Sequence, residues 1–114
     1  FNVVARNQDD HTKNISFLMD ESGAWRLSPA YDMGYAYNPS GFWTATHQMS
    51  INGKFDGVTR KDLLECAASN NIKNAAEIID QVSEAASRWT GIAKECGVPR
   101  NMIDNIKSNL LLNI

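Results

Sequence analysis

Asn7-Gln8-Asp9-Asp10-His11-Thr12-Lys13-Asn14 runs into Ile15-Ser16-Phe17-Leu18-Met19, and, after Asp20-Glu21-Ser22-Gly23, into Ala24-Trp25-Arg26-Leu27-Ser28-Pro29-Ala30-Tyr31-Asp32. The first eight residues read as a polar loop, too rich in Asp, Asn and His for a core. Residues 15–19 and 24–28 have strand-like composition, residues 20–23 have turn chemistry, and Pro29 stops the second strand, so a short β-hairpin is expected here. A hairpin returns its far end to its near end. Asp32 is therefore expected beside Asn14, although eighteen positions separate them in sequence.

On the N-terminal side, Phe1, Val3, Val4 and Ala5 read as the end of a helix. On the C-terminal side, residues 30–57 hold Tyr31, Tyr35, Tyr37, Phe42, Trp43 and Phe55 among four glycines and Pro39, an irregular segment with too much aromatic content for disorder. The aromatic cluster from Tyr31 to Phe55 could border a peptide-substrate groove, but core packing is the expected use of Phe42, Trp43 and Phe55, and a hydrogen bond within its own loop that of His47. From Thr59 the pattern is helical. Thr59 and Asp62 form an acidic variant of the capping box, with Leu63, Leu64, Ala67 and Ala68 on one face. Asn70-Asn71 breaks that helix. A long second helix from about Asn74 is expected to turn Ile78, Val82, Ala85, Trp89, Ile92 and Cys96 inward, with Gly97 and Pro99 as its stop. Gly91 within it suggests close helix contact or a slight kink. A third helix, Pro99 to Leu112, carries Met102, Ile103, Ile106, Leu110 and Leu111. The expected fold is mainly α with a short β-hairpin, one domain over 1–114 made of a loop-and-hairpin half (1–58) and a helical unit (59–114).

Hydrophobic residues make up 43% of the chain, enough for a core. Net charge is −2, with 11 basic and 13 acidic residues spread along the sequence, which disfavours a nucleic-acid or anionic-membrane footprint. Cys66 and Cys96 belong to no metal-ligand or disulfide pattern and read as reduced residues of a cytoplasmic protein. No apolar run is long enough to span a bilayer. The chain opens on Phe1 rather than Met and reads as a piece of a longer protein.

The chemistry lies in the first third. Phosphoryl transfer needs a carboxylate beside the attacking hydroxyl and oxygen ligands that hold magnesium against the phosphates. In protein kinases the base and first metal ligand follow an Asp-x4-Asn spacing, and a second metal-binding Asp follows a short hairpin. Asp9, Asn14 and Asp32 reproduce that order. Asp10 has the wrong spacing to Asn14 and is expected to organise the loop or cap a neighbouring helix. His11 and Lys13 are placed to touch a phosphate oxygen.

Residues 7–18 (NQDDHTKNISFL) and 25–32 (WRLSPAYD), with MSINGK at 49–54 leading into TRKDLL, closely resemble the C-terminal part of HipA-like kinases. The resemblance implies the C-terminal, helical lobe of a divergent protein-kinase-like fold and serine/threonine kinase activity with ATP and Mg2+. For residues, it implies Asp9 as catalytic aspartate, Asn14 and Asp32 as magnesium ligands, and His11, Lys13 and Tyr31 lining the nucleotide. As partners it implies a protein substrate and, for the toxin members of the family, a HipB-like antitoxin. The family's N-terminal lobe has no counterpart among these residues, which include no G-x-G-x-x-G, so the isolated chain is expected to be inactive.

Two other classes compete. Residues 59–81 could mimic a helix-turn-helix nucleic-acid or protein-interaction module, though Arg60, Lys61 and Lys73 are offset by Asp62, Glu65, Glu77 and Asp80. Asp9, Asp10 and His11 could serve a metal-dependent hydrolase, although adjacent side chains point poorly at one ion.

Overall fold

The computed structural model describes residues 1–114. A 3-10 turn at Thr12–Asn14 leads into strands β1 (Phe17–Met19) and β2 (Trp25–Leu27), followed by helices α1 (Arg60–Ser69), α2 (Ala75–Ser87), α3 (Trp89–Glu95) and α4 (Arg100–Asn109). The fold is mainly helical with one antiparallel hairpin, and none of its helices is long and apolar enough to cross a membrane.

The hairpin pairs Phe17 with Leu27, Leu18 with Arg26 and Met19 with Trp25. Its turn is built by Asp20, whose Oδ1 accepts from the Ser22 N–H (2.9 Å), the Ser22 hydroxyl (2.6 Å) and the Ala24 N–H (3.0 Å). The Ser22 hydroxyl and the two amides favour the charged form and lower the Asp20 pKa. All six strand residues are exposed. Side chains alternate between faces, so Phe17, Met19, Trp25 and Leu27 form one uncovered apolar face.

The helical unit follows the sequence signals at its caps and departs from them in its packing. Thr59 and Asp62 form the expected capping box. Asn71 adopts φ 57° while the Ile72 N–H reaches the Ala67 carbonyl (2.9 Å), and Gly97 adopts φ 73° while the Val98 N–H reaches that of Ala93 (2.9 Å). Both ends are Schellman-type stops, which require a left-handed residue and so select Asn or Gly. The expected single helix from Asn74 is instead two, because the chain breaks at Arg88 between α2 and α3. The close helix contact that Gly91 suggested is absent, since a Cβ there would meet nothing within 4 Å. The buried stripe of α2 is also displaced by one position, through Ala75 and Ile79, leaving Ile78 exposed. Ile92 and Met102 likewise lie outward, whereas Ala93 and Ile103 are buried and the Trp89 indole donates to the Ile103 carbonyl (3.2 Å).

Residues 1–6 form a single turn rather than a regular helix. The Ala5 N–H bonds to the Phe1 carbonyl (2.9 Å), and Arg6 ends the turn at φ 55°. Val3, Val4 and Ala5 join Val58, Ala67, Ala75, Ile79, Ala93 and Ile103 in a small core. Arg6 ties this turn to the rest of the chain: its Nε donates to the Asn109 carbonyl (3.1 Å) and its guanidinium lies 4.5 Å from the centre of the Tyr37 ring. The accessible surface is 7975 Å², against about 6,200 Å² for a monomeric protein of this length. Much of the excess is apolar, since large hydrophobic side chains on the hairpin, in the 30–57 segment and along the helices face outward.

Asp62 does more than cap. Its carboxylate accepts from the Lys54 ammonium (2.8 Å), the Thr59 N–H (2.8 Å) and hydroxyl (2.6 Å), and the Asn52 amide (3.1 Å). Lys54, followed by Thr59 and Asn52, holds its pKa well below the usual carboxylate range. Asn52 and Gly53, at φ 51° and 75°, form the tight turn that delivers these partners. A depressed carboxylate pKa contributes stability in full above its unfolded value near 4, and that contribution is lost as pH falls toward the folded value. Melting of the wild type is therefore expected to fall more steeply below about pH 4 than that of Asp62→Asn. Parallel curves by circular dichroism would count against this role.

Candidate functional site

The loop at 7–14 is built from both sides. The Gln8 N–H donates to the Ala36 carbonyl (2.9 Å) and the Ala36 N–H to the Arg6 carbonyl (3.0 Å), so the loop is laced to the chain that follows Asp32. Asn7, only 4% exposed, donates from Nδ2 to the Asp32 carbonyl (3.0 Å). Asp32 takes φ 53°, a left-handed conformation that Asp and Asn tolerate better than most residues. Its backbone is thus held while its side chain remains exposed. On the other flank of the hairpin, the Tyr31 hydroxyl donates to the Lys13 carbonyl (2.7 Å), and the Ser16 and Ser28 hydroxyls meet at 2.9 Å.

This folding-back places Asn7, His11, Asn14, Tyr31 and Asp32 around one cavity of about 80 Å³. Asp9 stands beside it. Its carbonyl accepts from Asn14 Nδ2 (3.0 Å), and its half-exposed carboxylate lies 4.0 Å from His11 Nε2. Lys13 contributes its carbonyl, and its side chain is exposed. Four of the six sequence-derived site residues thus share a cavity wall, with Asp9 hydrogen-bonded to it and Lys13 outside it.

The loop is not the solvated turn its composition suggests. Asn7, Gln8 and Asp10 are all buried, Gln8 completely. Asp10 organises the loop, as one of its two expected roles had it, by reaching across the molecule: Oδ2 bonds His47 Nδ1 at 2.8 Å and Oδ1 accepts from the Gln48 N–H at 2.8 Å. The carboxylate accepts, so the imidazole carries a proton on Nδ1. His47, expected to bond within its own loop, instead bonds a residue 37 positions away, and both side chains are 3% exposed. With its carboxamide nitrogen facing the Thr44 and Ala45 carbonyls (2.8 and 3.1 Å), Gln8 also accepts from Arg6 Nη1 (3.1 Å). Sequence reasoning gave Asn7, Gln8 and His47 no role in the site. Their partners lie far along the chain, and only the presence of so many amides in one short loop hinted at buried work.

The donor set can be tested against a cation. Asn14 uses its amide nitrogen on Asp9, which leaves Oδ1 as its free end, and the Asp32 carboxylate has no hydrogen-bond partner among the protein groups. Hard oxygen donors of this kind suit magnesium, which binds to one or two protein ligands and completes its shell with phosphates and water. No group of three His, Cys, Asp or Glu side chains converges, and Asp10 is committed to His47, so the Asp9, Asp10, His11 grouping does not assemble as a metal centre. His11 Nδ1 is buried without a partner, an unspent polar atom in the cavity wall.

The chain is a mainly helical domain in which a hairpin brings Asp32 back to the cavity that Asn14 lines. The family described as HipA-like C-terminal domain matches residues 1–90, and the chain belongs to it; the HipA family is associated with kinase function. No curated protein and no solved structure matches the chain.

Proposed function

We propose that this chain carries the base and magnesium ligands of an ATP-dependent serine/threonine protein kinase. The observation that supports this best is the return of the hairpin: Tyr31 bonds the Lys13 carbonyl at 2.7 Å, and Asn14 and Asp32 line the same cavity. Asn14 Oδ1 and the Asp32 carboxylate would hold the cation, which would supply charge neutralisation at the phosphates. The Asp9 carboxylate faces solvent and accepts the proton of the attacking hydroxyl. His11, whose Nδ1 has no partner in the cavity wall, would contact the nucleotide phosphates, and Tyr31 would close the far wall. Because no phosphate-gripping glycine loop is present among these residues, the isolated chain binds ATP weakly and transfers phosphate negligibly.

Manganese in place of magnesium tests the assignment without requiring turnover. In the presence of ATP it is expected to broaden the backbone amide signals around Asn14 and Asp32 selectively, and Asp32→Asn is expected to abolish the effect. Broadening that survives Asp32→Asn, or that centres elsewhere, rejects the ligand pair.

A further inference from the structure

Asn52 and Gly53 are the chain's one Asn-Gly dipeptide, and both are exposed. They are the two central residues of a tight turn closed by the Ile51 N–H to Lys54 carbonyl bond (2.8 Å) and the Lys54 N–H to Ile51 carbonyl bond (3.0 Å). A glycine offers its amide nitrogen to the preceding side chain with no Cβ in the way. The Gly53 N–H takes no hydrogen bond within the protein. Such a pair invites a spontaneous reaction. The Gly53 nitrogen gives up its proton to solvent base and bonds to Asn52 Cγ, closing a cyclic imide; the Cγ–Nδ2 bond breaks and Nδ2 leaves as ammonia. Water then opens the ring at one of its two carbonyls, which returns an aspartate or an isoaspartate at position 52.

Asn52 differs from an ordinary exposed asparagine in where its amide is spent. Nδ2 donates to Asp62 Oδ1 at 3.1 Å and to Glu65 Oε2 at 2.7 Å, across ten and thirteen positions. The leaving nitrogen is thus held by two carboxylates of α1. Lys54, the residue after Gly53, pins the same turn to Asp62 at 2.8 Å. Ring closure requires the side chain to leave both acceptors, so it proceeds from an opened turn rather than from the closed one. Conversion then removes the donor outright. A carboxylate in its place faces Asp62 and Glu65, and the cations at hand, Lys54 on Asp62 and Lys61 at 3.6 Å from Glu65, are already paired with them.

We propose that Asn52 is a deamidation site gated by Asp62 and Glu65: opening of the turn from α1 admits ring closure, and the carboxylate that results keeps the turn from docking again. The turn thereby carries a one-way mark of its own openings, independent of any reaction at Asp9. The loss reaches the start of α1, because the Asp62 carboxylate that Asn52 and Lys54 steady is also the one that accepts from the Thr59 N–H and hydroxyl.

The 114-residue chain and an end-capped synthetic peptide of residues 49–56 test it when aged side by side in warm, mildly alkaline buffer. Fragmentation mass spectrometry reads the replacement of NH2 by OH at Asn52. Conversion is expected to be at least about tenfold slower in the chain than in the peptide, and urea should bring the chain to the peptide's rate. Glu65→Ala removes the shorter of the two bonds at an exposed position, and should raise the rate about fivefold with the circular dichroism spectrum unchanged. Glu65→Gln keeps an oxygen acceptor and should fall between. Asn52→Asp should melt below the wild type, as should the aged chain. A folded chain that converts at the peptide's rate has no gate, and a rate unmoved by Glu65→Ala assigns the protection to the turn alone; either overturns the proposal. So does Asn52→Asp melting with the wild type, which would show that the turn docks with a carboxylate as it does with an amide.

Discussion

Asp9→Asn is expected to lower phosphoryl transfer by about 10² to 10⁴-fold while leaving folding and Mg·ATP binding intact. The measurement is single-turnover transfer from labelled ATP to a serine peptide, by a kinase in which residues 7–32 of this chain supply the catalytic loop. The structure explains why the lesion would be so confined. The structural bond made by Asp9 runs through its backbone carbonyl, which accepts from Asn14 Nδ2 at 3.0 Å, and the substitution leaves that bond in place. Its carboxylate is 51% exposed and 4.0 Å from His11 Nε2, so no buried network depends on its charge. An amide keeps the shape and loses the basicity. Asp10 offers no replacement, because both of its oxygens are engaged by His47 and Gln48. Transfer at the wild-type rate would mean that the base is another residue.

The largest loss of stability is expected from His47→Ala. Removing the imidazole strips the buried Asp10 carboxylate of its 2.8 Å partner and leaves it with the Gln48 N–H alone. Breaking a buried pair by deleting one member costs about 3–5 kcal/mol, because the survivor stays desolvated. For a domain of this size that lowers the melting temperature on the order of 10 °C or more. Urea titration in the cold gives the stability change. A loss under about 1 kcal/mol would show that the pair is not the fastening described here.

The local signals were legible because their partners are close in sequence. Thr59 finds Asp62 three residues on, Asp20 finds Ser22 and Ala24, and Gly97 acts within its own turn. The hairpin, and with it the approach of Asp32 to Asn14, could be read for the same reason. What escaped depends on distant residues. Gln8 and Asp10 look like surface polarity until Thr44, Ala45 and His47 are brought to them. The break at Arg88 escaped because Trp89 and Ile92 continue an apolar period past it, although Ile79 and Ala93 are the residues that tertiary packing selects. The outward placement of Phe42 and Trp43 escaped because aromatic content signals order without saying which side of a surface it serves. Asn52-Gly53, a turn signal in the sequence, forms the turn that brings Asn52 and Lys54 to Asp62.

The hairpin has a consequence for how the site is held over time. Asn14 and Asp32 sit at the two ends of an element with no buried strand residue, and a lone two-stranded hairpin is marginally stable in water. Its amide hydrogens should therefore be among the first to exchange, through openings far smaller than global unfolding. Each opening separates the two proposed ligands. An ion held by both would slow that exchange, and a surface settling over Phe17, Met19, Trp25 and Leu27 would raise the affinity for the ion by the same factor as the ion raises the affinity for that surface.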